Sequence, residues 1–275
     1  MLLTITLLVL IGGLSAIIGS IVGIGGGIII VPTMVYLGVE HGLLHNITTQ
    51  VAIGTSSVIL IVTGLSSSLG YLKTKQVDIK NGSIFLFGLL PGSLLGSFIS
   101  RYLTFESFNL YFGIFLIFVA ILLMVRNKIK PFKIFDKPKY EKTYVDAKGK
   151  TYHYSVPPLF AFITTFLIGI LTGLFGIGGG ALMTPLMLIV FSFPPHVAVG
   201  TSMMMIFFSS VMSSIGHIAQ GHVAWGYAII LIISSYFGAK IGVKVNQSIK
   251  SDTVVTLLRT VMLLMGIYLI IRALI

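Results

Sequence analysis

Gly23-Ile24-Gly25-Gly26-Gly27, with Pro32 five residues on, recurs as Gly176-Ile177-Gly178-Gly179-Gly180 with Pro185. Both copies interrupt stretches that are otherwise apolar. A glycine run breaks a membrane helix, and broken backbone at membrane depth is tolerated only where it faces protein or a watery cavity. Two such breaks at corresponding positions point to a transporter's binding site.

Around the breaks, mean hydropathy is +1.04 and only 9% of residues are charged. That composition excludes an ordinary water-soluble domain. Apolar stretches cover roughly 2–22, 27–38, 48–70, 82–100, 107–125, 158–175, 180–193, 197–216, 224–243 and 253–274. Eight reach about 20 residues, enough to cross the hydrocarbon core. The two that follow the glycine runs are shorter, as half-helices are. Residues 1–20 lack the basic start of a signal peptide and belong to the repeat described next, so they are read as structure.

The glycine motifs align at an offset of 153, which takes Gly25 to Gly178. Beyond the following loop the offset becomes 146. Ala52-Ile53-Gly54-Thr55-Ser56 then matches Ala198-Val199-Gly200-Thr201-Ser202, Gly92-x-x-x-Gly96 matches Gly238-x-x-x-Gly242, and Arg126 matches Arg272. The expected fold is therefore an all-α polytopic membrane protein of two five-element repeats, about ten hydrophobic helices in all, with short broken helices after the glycine motifs. The repeats are residues 1–126 and 158–275, joined by a basic loop, 127–157. Five elements is an odd number, so the second repeat is expected to be inverted in the membrane. Parity is the same whether the first two elements of each repeat span or form a re-entrant hairpin.

Charge supports inversion. Lys73, Lys75 and Lys80 follow the third element, whereas the corresponding loop 217–223 has no Lys or Arg. Of the 18 Lys and Arg residues, nine fall between Arg126 and Lys150. This is read as a cytoplasmic loop obeying the positive-inside rule rather than a nucleic-acid surface. The expected location is the cytoplasmic membrane, with loop 127–157 inside and both termini outside. Within the loop, β-prone runs flank Asp146-Ala147-Lys148-Gly149, a hairpin pattern.

A helix start exposes unpaired N–H groups and the positive end of the helix dipole, which suits an anion. Gly25, Gly26, Gly27, Gly178, Gly179 and Gly180 are thus the first candidates for substrate binding, although glycines also permit close helix packing. Thr55, Ser56 and Ser57, with Thr201 and Ser202, are expected to start their helices and to offer hydroxyl donors or caps; bonding back to their own helix is the alternative. Gln50, His196, His217 and Arg259 are accessory candidates. His217 and His222 are able to carry a proton, which would couple transport to it.

No Asp or Glu lies in the middle of an apolar stretch, which argues against a cation substrate and a carboxylate proton relay. There is no Cys, no HExxH and no GxSxG, so neither an enzyme, a metal site nor a cofactor is expected.

The doubled Gly-Ile-Gly-Gly-Gly with its proline, each copy followed by a Gly-Thr-Ser run, resembles the TauE/SafE (sulfite exporter) membrane proteins. The resemblance covers almost the whole chain outside loop 127–157. It implies movement of small sulfur-containing anions such as sulfite, thiosulfate or organosulfonates by a secondary carrier in the lipid bilayer. A passive anion channel, or a scaffold acting through the basic loop, are the alternatives from other classes.

Overall fold

A computed structural model of the chain describes residues 2–40, 42–125, 141–145 and 151–274. Ten α-helices appear among them: α1 (Leu2–Val22), α2 (Gly27–Val35), α3 (Thr49–Lys73), α4 (Ile79–Ile99), α5 (Phe105–Val125), α6 (Pro158–Phe175), α7 (Gly180–Ile189), α8 (Pro195–Ala219), α9 (Trp225–Ser248) and α10 (Ser251–Leu274). Seven are long and apolar enough to cross a membrane. The eighth expected span corresponds to α5, a helix of 21 residues whose apolar run among the described residues is Ser107–Ile121. The protein is an all-α polytopic membrane protein.

The two most buried helices, α3 and α8, form the centre. They cross antiparallel: Gly54 lies beside His217, Ser57 Oγ is 3.2 Å from Ser213 Oγ, and Gly200 lies beside Tyr71. Two pairs of helices flank this centre, each running parallel. In one, Gly238 and Gly242 of α9 meet the carbonyls of Gly13 and Ile17 in α1, and Asn246 Nδ2 donates to Ile21 O. In the other, Gly88, Gly92 and Gly96 of α4 meet the carbonyls of Phe162, Phe166 and Ile170 in α6. Small residues every fourth position let the backbones approach, the usual adhesive between helices in a bilayer.

These contacts give each chain segment a direction. α9 starts next to Thr55 at one end of α3, where Ala224 N donates to Thr55 Oγ1. Since α1 runs parallel to α9, it enters from that same end. Beyond α2 the chain is back there, because His45 N donates to Tyr227 OH. Thus α1 and α2 go in and come out on one side, as a helical hairpin with the glycine break at its tip. α6 and α7 do the same from the other side, where Phe193 packs against Tyr154 with centroids 4.3 Å apart and rings tilted by 45°. Helix α1 follows α9 as far as Ile21, beside Asn246 two residues before α9 ends, and it is long enough to cross.

That second side carries a two-stranded antiparallel hairpin, β1 (Glu141–Val145) with β2 (Thr151–Ser155), in which Thr143 faces His153. It is docked on the helices: Tyr154 is buried and its hydroxyl donates to Asp78 Oδ2 at 2.8 Å. The rest of the basic stretch, 126–140, and the turn 146–150 lie outside the described residues.

Candidate functional site: paired helix starts at two glycine breaks

The break after α1 is a tight turn in which the N–H groups of Gly23, Ile24 and Gly25 converge on Gly19 O at 2.9, 2.9 and 3.2 Å. Helix α2 then starts with Gly26 as its cap at φ 92°, a left-handed conformation open to glycine. Gly179 caps α7 in the same way at φ 72°. Neither cap offers a side-chain hydrogen bond. The N–H groups of Gly26, Gly27 and Ile28 make no hydrogen bond among the described residues, and neither do those of Gly179, Gly180 and Ala181. These are the orphan donors of a helix start.

The two starts lie side by side. A Cβ on Gly27 would stand 2.8 Å from Gly176 O, and one on Gly180 would stand 2.6 Å from Gly23 O. Each break is braced by the other half of the chain. Ser202 Oγ and Thr184 Oγ1 donate to Gly23 O at 2.8 and 2.9 Å, and Ser56 Oγ donates to Gly176 O at 2.9 Å. Residues matched by the two offsets therefore make matched contacts. The same holds for Thr55, which accepts from Ala224 N at 3.0 Å, and Thr201, which accepts from Asp78 N at 2.9 Å.

The hydroxyls of Thr55, Ser56, Thr201 and Ser202 are thus engaged with backbone in this conformation. They do not start their helices either. α3 is capped by Thr48, whose Oγ1 accepts from Val51 N, and α8 follows Pro194, so the Gly-Thr-Ser runs lie inside the helices. The expectation of a cap is corrected, because the helices begin at Thr49 and Pro195, more than a turn before Thr55 and Thr201. Ser57 bonds back to Ile53 O and across to Ser213.

The accessory candidates are scattered. Gln50 donates to Leu103 O and lines a cavity of about 460 Å³ with Arg101, Tyr102 and Thr104, at the end away from the hairpin. His196 Nδ1 pairs with Asn246 Oδ1 at 2.9 Å, near the hairpin end. His217 is fully buried, with Nε2 3.1 Å from Gly173 O. His222 lies beyond α8, and burial pushes its imidazole below the usual histidine range. Arg259 is half-exposed on α10.

Two residues at the breaks escaped the sequence reading. Leu60 and Ile206, both fully buried, lie against Gly25, Gly27, Gly178 and Gly180 and fill the space between the two helix starts. They correspond at the offset of 146, a signal that was available. Asp78, at the N-terminus of α4, is the buried carboxylate among the described residues; it accepts from Asn81 Nδ2 and Tyr154 OH, both at 2.8 Å.

Comparison with known proteins gives this arrangement a family. The model of the family described as sulfite exporter TauE/SafE matches residues 8–269. The probable membrane transporter protein YunE of Bacillus subtilis is 43% identical over 264 residues, 96% of each chain. The probable membrane transporter protein MJ0441 of Methanocaldococcus jannaschii is 26% identical over 98% of this chain and 96% of its own. The Arabidopsis thaliana sulfite exporter TauE/SafE family protein 2 is 38% identical over 90 residues, 33% of this chain and 19% of its own. No solved structure matches. A family match over nearly the full length, with a transporter-named relative of the same length, assigns the chain to the sulfite exporter TauE/SafE family of membrane proteins.

Proposed function

We propose that the protein is a secondary carrier that moves a small sulfur-containing oxyanion, such as sulfite, thiosulfate or an organosulfonate, across the cytoplasmic membrane by alternating access. The observation that carries this reading is the pair of adjacent helix starts, each with three N–H groups lacking a partner. Backbone donors and the dipoles of α2 and α7 favour an anion there without requiring a cationic side chain. The donors are the N–H groups of Gly26, Gly27 and Ile28 and of Gly179, Gly180 and Ala181; Gly25, a candidate from the sequence, spends its N–H on Gly19 O, and it and Gly178 shape the turns. Ser56, Thr55, Ser202 and Thr201 hold the breaks in shape.

The matched contacts of the two halves, and the antiparallel crossing of α3 and α8, support two inverted repeats. In an inverted pair, two equivalent conformations open the same site to opposite sides. In the present conformation Leu60 and Ile206 close it. Opening requires one helical hairpin to move against α3 and α8, with the glycine break as the hinge. The hairpin end is assigned to the cytoplasm because it carries Lys73, Lys75, Lys240, Lys244 and Lys250 as well as the basic stretch.

The test is uptake of radiosulfur-labelled sulfite and thiosulfate into proteoliposomes holding unlabelled anion. Saturable uptake accelerated by the trapped anion is the expected result. Linear flux without acceleration would identify a channel. No flux of either anion by folded protein overturns the reading for these substrates.

A further inference from the structure

Three side chains on one face of α8 bear polar atoms that nothing in the fold uses. Ser210, Ser214 and His217 stand at positions i, i+4 and i+7, so they line up along the helix. Their exposures are 0%, 2% and 0%, and Ser210 Oγ, Ser214 Oγ and His217 Nδ1 have no hydrogen-bond partner. Leaving a buried polar atom unpaired forfeits its hydration with nothing in return, so three in a row call for an explanation. Serine and threonine hydroxyls in a membrane helix ordinarily bond back one turn, as Thr164, Thr165 and Thr172 do here with Phe160, Ala161 and Ile168. Ser210 and Ser214 do not.

The row has a definite course. At its inner end, Ser210 Oγ would be 3.1 Å from a Cβ on Gly178, at the second break. At its outer end, His217 stands 6.1 Å, ring to ring, from the half-buried His222, on the side away from the hairpin. Glycines form its walls: Gly54 lies against His217 Cβ and Gly173 O takes His217 Nε2.

The first half of the chain lacks such a row. The positions matched at offset 146 are Gly64, Ser68 and Tyr71. Tyr71 spends its hydroxyl on Ser20 O at 2.7 Å, the counterpart of the bond from His217 to Gly173. No residue of α3 has a buried side-chain atom left unpaired among those described.

The chemistry of the row is mixed. Both hydroxyls are free to donate. Because a carbonyl only accepts, His217 must carry its proton on Nε2, which leaves Nδ1 of the neutral ring as a bare acceptor. Two donors beside one acceptor match an oxyanion that bears one hydroxyl.

We infer that Ser210, Ser214 and His217 Nδ1 form a second station for the transported anion, between the break at Gly178 and the outer surface, that is selective for a singly protonated oxyanion. It rests on the anion reading of the breaks and makes the outer half of the path chemically unlike the inner half. An anion leaving the helix start of α7 passes to the two hydroxyls, and its own O–H is taken by His217.

The experiment measures concentration dependence of sulfite and thiosulfate uptake by the full chain in proteoliposomes, together with equilibrium binding of each in detergent. At neutral pH part of the sulfite carries a proton and thiosulfate carries none. S210A and S214A are expected to raise the half-saturation concentration for both anions roughly tenfold, the order of one hydrogen bond to a charged group. H217L removes the acceptor at Nδ1, together with the N–H that serves Gly173 O. It is expected to weaken sulfite by a similar factor and to leave thiosulfate within about twofold. The control is S235A, a buried serine bonded back to Ile232 O, which should match the wild type.

Wild-type affinity in S210A and S214A, or equal losses for both anions in H217L, overturns the station while leaving the carrier intact. If the wild type neither binds nor moves either anion, the reading of the breaks falls and the station with it. Variants too unstable to reconstitute are replaced by S214C. The chain has no native Cys, so labelling of this thiol by a membrane-impermeant reagent, and its protection by methanesulfonate, a sulfonate that does not consume the reagent as sulfite would, reads the station directly. A thiol that is unreactive, or reactive without protection, overturns it.

Discussion

Gly26 and Gly179 stand where the chain turns from one helix into the next, at φ values a side chain adopts only under strain. Alanine at either position is strained by about 1–2 kcal/mol for the left-handed backbone. At Gly26 it also presses on Ser15 O, which a Cβ would approach to 2.7 Å. G26A and G179A are therefore expected to insert in the membrane, melt a few degrees lower, and lose uptake by roughly tenfold or more, because strain at the cap displaces the N–H groups that follow it. Thermal melting alongside transport separates the two effects. Wild-type uptake in both variants would mean that the helix starts do not touch the anion. The glycines were legible because a run of them in an apolar stretch has few other uses. Leu60 and Ile206 were not, since a buried aliphatic side chain and a lipid-facing one look alike in sequence. Ser210 and Ser214 were equally hidden: only a structure tells a free hydroxyl from one bonded back to its helix.

Among the elements, the helices were readable from apolar length, and 2–22 and 158–175 coincide with α1 and α6. Length is blind to direction, which is why the in-and-out course of α1–α2 and α6–α7 emerged only from which glycines meet which carbonyls. The β-hairpin could be anticipated from its β-prone runs, but its docking could not, because Tyr154 and Asp78 are 76 residues apart. That docking is open to test. Y154F removes a hydrogen bond to a carboxylate, a loss of about 1.5–3 kcal/mol at a site Phe193 still packs. Amide exchange across Thr151–Ser155 is expected to speed up at least tenfold in the variant, while exchange in α3 and α8 stays unchanged. Equal exchange in both proteins would mean that the ring contact alone retains the hairpin.

For the whole molecule, inversion predicts that equivalent positions face opposite sides. Lys75 and Gly221, matched at offset 146, lie in the turns after α3 and α8. In intact cells a membrane-impermeant maleimide should label G221C and spare K75C until the cells are opened; labelling of both from outside would refute two inverted repeats. The layer made by Leu60 and Ile206 has an electrical consequence. Voltage falls mainly across the part of a membrane protein that is dry, and water or polar groups short-circuit the rest. If water reaches the site from either side during transport, this aliphatic layer is the dry part across which the voltage would fall. Each net charge carried past it is worth about 2.3 kcal/mol per 100 mV. On the proposed carrier reading, an inside-negative membrane would drive net anion movement outward, and net uptake would require a companion cation, whereas exchange for an internal anion would not.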